Sequence, residues 1–465
     1  MRVFILLFAM FIQAVPAFAN EKRPPNIVFI MADDLGYGDL GCYGQEEIVT
    51  PHIDALAAHG IRLTQAYAGS TVCTPSRSIV MTGLHNGHTP ARNNVPHYDT
   101  YLKDGDITVA EILKSAGYRI GGIGKWSLGD SGTEGRATRQ GFDMWYGYLN
   151  QDHAHYYYTE YLDDNEGRHE LPGNSKSHEF YSHDLMTDRA LQFIEQSADE
   201  PFFFYGAYTL PHFSSIEEDP TELAIPSDEP YSGKSWSQKA KNYAAMVTLL
   251  DRDVGRIVGL LEELGLREST LIVFTSDNGP WGPIADVFDS NGPLRGVKRD
   301  LYEGGIRVPF IANWPGTIPE GVVSDEIVAA WDLLPTFAEI AGAVPPDGID
   351  GHSIVDVLQG RPAENPHPYL YFDFGHTRSV YQQAVRVGNW KAVRIGLDGE
   401  IELYDLSSDI GEENDLAQQY PEQVAAMKRI METAAEPDPR YAVGELYRGG
   451  PIWKKSEQWP ALNQE

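Results

Sequence analysis

Residues 26–38 read NIVFIMADDLGYG and decide the fold. The nearly unbroken apolar run 26–32 predicts a strand that is buried on both faces, as the strands of a parallel sheet are. Further strands are predicted at residues 120–123, 202–208, 271–275 and 309–312, and helices at residues 51–58 and 238–264. Strands that alternate with helices favour the α/β class and a doubly wound sheet.

Polar side chains follow four of these strands. They are Asp33 and Asp34 after the first, Lys125 after the second, His212 after the third, and Asp277 and Asn278 after the fourth. Ligands of open α/β sheets bind beyond the carboxyl ends of the strands, so a shared site is expected there. The paired aspartates could also form a solvated turn. Together with Asp277 and Asn278 they offer four oxygen-donor side chains, which suit a hard cation, Ca²⁺ or Mg²⁺.

The composition and the pattern of predicted elements change near residue 365. Residues 362–368 are proline-rich and predict a linker, and residues 384–393 and 401–404 read as short antiparallel strands followed by a helix over 421–435. We therefore predict a large catalytic domain over residues 20–365 and a small α+β domain over residues 366–465. The last stretch, with Trp453 and Trp459, is predicted to be a strap packed on the main body.

The first 19 residues have the pattern of a secretory signal peptide. Arg2 precedes a mostly apolar run over 3–15, and Ala17-Phe18-Ala19 is a small-x-small cleavage site. The run is too short to span a bilayer, and the rest of the sequence offers no second apolar stretch of that length. The sequence thus predicts a periplasmic or secreted protein without a membrane anchor.

The formal net charge of −31 restricts the partners. Such a surface repels nucleic acid and anionic lipid, so neither is an expected ligand. Any anion must bind in a local basic pocket.

The two cysteines are Cys42 and Cys73, and an exported protein could join them in a disulfide. Cys73 begins the stretch CTPSRSIVMTG, residues 73–83. Pro75 suits the first turn of a helix, which places Cys73 beside free amides and the positive end of the helix dipole, where an anion is favoured. Arg77 adds a cation there. The alternative is a buried structural cysteine ahead of a proline-started helix.

This stretch matches the pattern C-x-P-S-R-x-x-x-x-T-G, so the chain resembles the formylglycine-dependent sulfatases of the alkaline-phosphatase-like superfamily. The resemblance implies a large mixed sheet domain with a smaller C-terminal domain. It also implies that a formylglycine-generating enzyme oxidises Cys73 to the aldehyde formylglycine. Ca²⁺, rather than Mg²⁺, is the implied cation, held by residue 73 together with Asp33, Asp34, Asp277 and Asn278.

Other segments resemble the family's motifs in the same order along the chain. They are GKWSLG at 124–129, Pro211-His212, LRGVK at 294–298, YEGGIRVP at 302–309, GNWK at 388–391 and ELYDL at 402–406. The resemblance implies that Lys125, Lys298 and His212 bind the sulfate group. With Cys73 and Arg77 they form the implied catalytic set, while Glu303 and Arg307 support the site from behind.

Ser127 departs from the pattern, because the family usually has histidine at this position. The resemblance implies that this histidine contacts the aldehyde hydrate and helps to release sulfate. Serine is a poor base at neutral pH unless a neighbour activates it. A water or a residue from elsewhere in the chain must then take over that proton transfer.

The substrate is predicted less directly. Residues 151–158 read QDHAHYYY, and this stretch resembles a loop of sulfatases that act on carbohydrate. Aromatic rings stack on sugar faces and histidines bind hydroxyls, although a tyrosine-rich packed loop is an equal alternative. Ser127, Arg92, His153 and His155 are candidate substrate contacts. Galactose-type or N-acetylgalactosamine-type units of algal galactans or glycosaminoglycans are the expected substrates.

Two rival functions remain open at this point. A phosphoester or phosphonate hydrolase of the same superfamily would share the metal carboxylates. A sulfoglycan-binding protein without turnover would explain Ser127, but it would have no need of an oxidisable cysteine in this motif. The oligomeric state is left open.

Overall fold

A computed structural model describes residues 23–94, 100–214, 221–361, 366–375 and 380–441. The predicted signal peptide, most of the predicted linker, and the predicted strap with Trp453 and Trp459 lie outside these ranges.

The larger sheet occupies most of the chain. Among the described residues its strands are β1 Asn26–Ala32, β2 Ile61–Tyr67, β3 Arg119–Lys125, β4 Met144–Tyr148, β5 Tyr161–Asp164, β6 Gly167–Glu170, β7 Phe202–Ala207, β8 Thr270–Ser276, β9 Phe310–Asn313 and β10 Val322–Ala329. Their order is β10-β2-β9-β8-β1-β7-β3-β4-β5-β6. The centre, from β8 through β1, β7 and β3 to β4, is parallel.

The sheet is mixed rather than wholly parallel. The predicted strand over 309–312 is β9, and it runs antiparallel to both β8 and β2. Strands β4, β5 and β6 form an antiparallel edge. The α/β architecture with a large mixed sheet is therefore confirmed, and the four central strands fall where the apolar runs predicted them.

Helices cover both faces of this sheet. The helices of this larger part are α1 Pro51–Ala58, α2 Cys73–Thr82, α3 Val109–Ser115, α4 Asn174–Ser177, α5 Ser182–Gln196, α6 Gln238–Glu263, α7 Gly282–Phe288, α8 Glu303–Ile306, α9 Leu333–Ala341 and α10 Val355–Leu358, and α11 Pro421–Thr433 belongs to the C-terminal part. Val28 and Ile30 of β1 pack under α1, α5 and α6, whereas Ile27 and Phe29 pack under α2, α3 and α9. Alternate side chains point to opposite faces, so β1 is buried on both sides.

The C-terminal part is a small antiparallel sheet with α11 on one face. Its strands, in spatial order, are β11 Leu370–Phe374, β12 Gln382–Val387, β13 Trp390–Ile395 and β14 Ile401–Asp405. The stretch 384–393, read as a strand from the sequence, is instead the hairpin of β12 and β13. Gly388 turns the chain there at a φ of 56°, a conformation that suits glycine.

The two sheets are packed against each other. Phe372 of β11 contacts Trp331 of the larger domain, with ring centroids 5.8 Å apart. The opposite face of the small sheet packs on Met427 and Met431 of α11. In the described part of the chain we find no helix with the length and apolar character needed to cross a membrane.

Candidate active site

The predicted site residues converge at the carboxyl edge of the larger sheet. Asp33 and Asp34 follow β1, and Asp277 and Asn278 follow β8, the strand paired with β1 in parallel. His212 follows β7, on the other side of β1. The parallel pairing of central strands thus gathers side chains that are far apart in the sequence.

Cys73 is the first residue of α2 and is fully buried. Its thiol donates to Asp33 Oδ1 at 3.2 Å and accepts from Lys298 Nζ at 3.4 Å. Burial, aided by the negative charge of Asp33, raises the pKa of the thiol to about 12. An unmodified Cys73 is therefore protonated and a weak nucleophile. It forms no disulfide with Cys42, because both cysteines are free.

Three cations neutralise the carboxylates around Cys73. Lys125 Nζ lies 2.7 Å from Asp33 Oδ2, and Lys298 Nζ lies 2.7 Å from Asp34 Oδ1. The Arg77 guanidinium spans Asp33 and Asp277, at 3.2 Å and 3.0 Å. A further hydrogen bond from Arg77 to the Lys125 carbonyl fixes the guanidinium. Arg77 therefore positions the acidic side chains rather than meeting Cys73 directly.

The pKa values show how crowded with charge the site is. Burial, together with the charge of Asp33, raises the pKa of Asp277 to about 7. Burial alone would also raise the pKa of Asp33, but Lys125 and the other nearby cations lower it well below its usual value. Burial alone would lower the pKa of Lys298, and the adjacent carboxylate of Asp34 raises it instead, so Lys298 carries a proton at neutral pH.

The acidic residues fit a hard divalent cation. Asn278 Nδ2 donates to Asp34 Oδ1 at 2.7 Å, whereas its Oδ1 is buried and has no hydrogen-bond partner within the described ranges. This buried amide oxygen lacks a hydrogen-bond partner among the described residues, and together with the carboxylates of Asp33, Asp34 and Asp277 it could serve as a ligand to such an ion. Carboxylate and amide oxygens together favour Ca²⁺ or Mg²⁺ over softer metals. Cys73 and His212 have ligand atoms within 4.8 Å of the paired aspartates.

His212 faces the same pocket in a defined tautomer. Its Nδ1 lies 2.7 Å from the Phe213 carbonyl, which can only accept, so Nδ1 carries the hydrogen. Nε2 then points into the site, 3.5 Å from Asp34 Oδ2. Burial and the charge of Lys298 lower the pKa of His212 to about 4, so the ring is neutral. His212 can therefore accept a hydrogen bond in the pocket.

Ser127 belongs to a hydroxyl network beside Cys73. Its hydroxyl donates to Gln151 Oε1 at 3.0 Å, and Thr74 donates to the same oxygen at 3.2 Å. Gln151 was not among the predicted site residues. Its position in the QDHAHYYY stretch was the signal, but the contact depends on how the loop folds.

The structure places only some of the predicted substrate residues at the site. His155 lies at the site, because its ring is 4.8 Å from the ring of His212. Arg92 does not contact the site: it donates to the Thr89 and Glu436 carbonyls and lies over Tyr441, so it joins the two domains. His153 is bound to Thr159 Oγ1 at 2.7 Å and packs on Tyr148 and Tyr161. The contacts described for Arg92 and His153 do not reach Cys73 or His212, and their role as substrate contacts stays a prediction.

A second buried charge cluster supports the site from the C-terminal side. Glu303 accepts from Tyr67 at 2.6 Å and from Arg307 at 3.2 Å. Lys391 of β13 lies 2.9 Å from Glu303 Oε1 and 2.9 Å from Glu412 Oε1. The supporting role expected of Glu303 and Arg307 agrees with these contacts. The contributions of Lys391 and Glu412 were missed, since nothing local in the sequence links them to this cluster.

The geometry defines a class of enzyme. A buried group of carboxylates can hold a divalent cation beside two lysines, a neutral histidine and a helix N-terminus, which together suit a tetrahedral oxyanion. On a sheet of this kind, such a site is that of an alkaline-phosphatase-like hydrolase of sulfate or phosphate esters.

Comparisons with known proteins identify the family. The profile described as Sulfatase matches residues 25–343, and that described as N-sulphoglucosamine sulphohydrolase, C-terminal, matches residues 297–436. The chain is 33% identical to Arylsulfatase A of Homo sapiens over 93% of this chain and 92% of that protein. It is 34% identical to N-acetylgalactosamine-6-sulfatase of Canis lupus familiaris over 80% of this chain and 72% of that protein.

A solved structure has the same fold. The structure of Ps i-CgsB in complex with k-i-k-neocarrahexaose superposes with a TM-score of 0.78 at 27% identity, covering 94% of this chain and 97% of that one. The chain belongs to the sulfatase family, and it is a sulfuric ester hydrolase.

Proposed function

We propose that this sulfatase hydrolyses sulfate esters of carbohydrates, with formylglycine at position 73 and a bound Ca²⁺. The observation that carries the proposal is the placement of Cys73. It is buried at the start of α2, between Asp33 and Lys298, and it is protonated as a thiol. A protonated thiol is a poor nucleophile at this position, whereas the nearby cations would stabilise an oxygen nucleophile there.

The residues around position 73 have separate tasks. Oxidised and hydrated, residue 73 supplies two hydroxyl groups on one carbon, one for attack on sulfur and one for release of sulfate. The cation supplies a Lewis acid beside the sulfate oxygens. Lys125 and Lys298 hold those oxygens and stabilise the charge that develops on them. His212 Nε2 accepts within the same pocket, and Arg77 keeps Asp33 and Asp277 in place.

Lys298 is the group that we expect to protonate the leaving alcohol. Its ammonium is charged at neutral pH, while His212 is neutral and has its Nδ1 hydrogen committed to the Phe213 carbonyl. In this step an N–H bond of Lys298 breaks, and its proton forms the O–H bond of the departing alcohol. A neighbouring carboxylate, Asp34, holds the lysine at the required position.

A sugar is the alcohol that the surroundings support best. Tyr156 is 47% exposed next to His155, and exposed aromatic rings are typical of sugar-binding surfaces. Ps i-CgsB was solved with k-i-k-neocarrahexaose, and N-acetylgalactosamine-6-sulfatase is named for a sulfated sugar. We therefore propose galactose-type or N-acetylgalactosamine-type units of algal galactans or glycosaminoglycans. We also propose export to the periplasm or beyond, on the pattern of residues 1–19.

The proposal is tested on protein made together with a formylglycine-generating enzyme. Peptide mass should show the aldehyde or its hydrate at residue 73, and sulfated galactans or glycosaminoglycan fragments should release sulfate. A chelator should abolish release and Ca²⁺ should restore it better than Mg²⁺. Paired phosphate esters should turn over much more slowly. An unconverted Cys73 combined with tight binding of sulfated oligosaccharide and no sulfate release would instead establish a binding protein, the candidate that Ser127 favours.

A further inference from the structure

The network at Ser127 leaves a proton transfer without an obvious acceptor. The Ser127 hydroxyl is committed to Gln151 Oε1, and among the described residues it makes no hydrogen bond to a charged group. Serine in such a setting does not take up a proton at neutral pH. A water or a base from another part of the chain must therefore accept this proton.

The loop that follows β4 lies against the segment that carries Ser127. Strands β3 and β4 are parallel, with Lys125 opposite Tyr148. Beyond the strands, the Ser127 amide donates to the Leu149 carbonyl at 3.0 Å. The loop that follows Leu149 thus places Gln151 against Ser127, and it continues to His155.

His155 is the imidazole that this loop brings to the site. Its ring is 4.8 Å from His212 and stacks on Phe213 at 5.1 Å, with an interplanar angle of 18°. The ring is half-buried, and within the described ranges its nitrogens make no hydrogen bond. Burial and the positive charges of nearby Lys125 and Lys298 lower its pKa well below the usual value, so the ring is neutral and one of its nitrogens is an acceptor.

We propose that His155 performs the proton transfer at residue 73 for which position 127 lacks an imidazole. The proposal rests on the sulfate-ester chemistry proposed above. When sulfate is released, the remaining O–H bond at residue 73 breaks, its proton forms an N–H bond on the His155 ring, and its electron pair forms the C=O bond of the aldehyde. The C–O bond to sulfate breaks in the same step, and its electron pair leaves with the sulfate. The imidazolium then returns the proton to water. Gln151 positions the loop through its bonds to Ser127 and Thr74.

His153 is the matched control in the same loop. It occupies the same stretch of sequence, but its Nε2 is bound to Thr159 and its ring is enclosed by Tyr148 and Tyr161. His153→Ala therefore changes the loop without removing the proposed base. A compensating variant is also available, since Ser127 has a φ of 65° and histidine tolerates this left-handed conformation better than most residues.

The experiment compares His155→Ala, His153→Ala and the double variant His155→Ala/Ser127→His. Conversion of Cys73 is first verified by mass, and kcat is measured with methylumbelliferyl sulfate, whose leaving group needs no proton. We expect His155→Ala to lose roughly 10²–10⁴-fold in kcat, the contribution typical of a positioned acid or base. The double variant should regain at least about tenfold of this, and His153→Ala should retain most activity.

A second readout does not use turnover. In Cys73→Ala protein, inorganic sulfate should shift the ring nitrogen NMR signals of His155 but not those of His153, and His155→Ala should leave the sulfate affinity within about threefold. The proposal is overturned if His155→Ala keeps kcat, if its sulfate affinity falls as far as kcat, or if Ser127→His gives no rescue.

Failure of the proposed function has a different signature. If converted protein cleaves the aryl sulfate but no sulfated sugar, the carbohydrate assignment fails while the His155 result stands. If converted protein cleaves no sulfate ester, the proposed function fails, and the NMR shift alone decides whether His155 faces the bound anion. An unshifted His155 signal at saturating sulfate overturns its assignment.

Discussion

Replacement of Lys298 by methionine tests the site most directly. Lys298 Nζ lies 2.7 Å from Asp34 Oδ1 and 3.4 Å from Cys73 Sγ, in a buried position. Methionine keeps most of the stem's volume and removes the charge and its donors. Loss of one partner from a buried ion pair costs roughly 3–5 kcal/mol of unfolding free energy. Loss of the sulfate-binding cation and proton donor should lower kcat by about 10²–10⁴-fold.

Lys391 provides a matched control for the loss of stability. It is also a buried lysine, 2.9 Å from each of two carboxylates, Glu303 and Glu412. Lys391→Met should lower the free energy of unfolding by a similar amount, about 3–5 kcal/mol. Because Lys391 contacts the supporting cluster and not Cys73, kcat per converted molecule should stay within about threefold of the wild-type value.

The assay measures thermal unfolding and kcat on the same preparations, after mass spectrometry has established the fraction of formylglycine. The comparison separates chemistry from folding, because both variants lose a buried charge. The reasoning is refuted if Lys298→Met keeps kcat within about threefold of wild type. It is equally refuted if Lys391→Met loses as much kcat as Lys298→Met, since both losses would then report destabilisation.

Three further outcomes follow from the same structure. Arg77→Ala should lower both turnover and Ca²⁺ affinity, because Asp33 and Asp277 lose the guanidinium that aligns them; calorimetric titration with Ca²⁺ checks this, and unchanged affinity would contradict it. Ca²⁺ at a hundred times its Kd should stabilise the folded protein by about 2.7 kcal/mol, measured as a rise in Tm over the chelated protein. The hydrogen bond that His88 donates to Asp350 raises the pKa of His88 above its usual 6.5, and Asp350 has a lowered pKa. This pair therefore stabilises the fold at mildly acidic pH and loses its effect as pH rises through the pKa of His88. The difference in Tm between wild type and His88→Asn should be largest near pH 5–6 and shrink towards about pH 8; a difference that grows with pH would contradict the assignment.

The central strands were predictable because they are buried on both faces. In β1, β7 and β8 every residue is buried, so each appears in the sequence as an apolar run. Strands β2, β4, β5, β6 and β10 were not predicted, and for β6 and β10 the reason is their position at the sheet's edges. All residues of β6 are exposed, and β10 is only partly buried, so neither carries a clear apolar pattern. A run of apolar residues indicates a strand that is buried, and exposed edge strands do not need such a run.

The interpretation of residues 384–393 as one strand shows a second limit of predicting structure from sequence. The stretch alternates well enough to resemble a single strand, and the turn depends on the left-handed conformation of Gly388. Glycine adopts either sign of φ at little cost, so its presence alone did not identify the turn. Pairing of β12 with β13 makes the turn favourable, and that pairing is a property of the folded sheet.

By itself the sequence determined which chemical groups are available: a cysteine ahead of a proline-started helix, carboxylates and an amide at strand ends, and the lysines and histidine of the proposed sulfate pocket. Short-range patterns suffice for this, because helix starts and buried strands are local features. Only the tertiary structure decided which cation meets which carboxylate, as in Lys298 with Asp34, 264 residues apart. It also moved Arg92 to the domain interface and brought His155 against His212. Those contacts depend on strand order and on how loops pack across it, and no short segment of the chain encodes either.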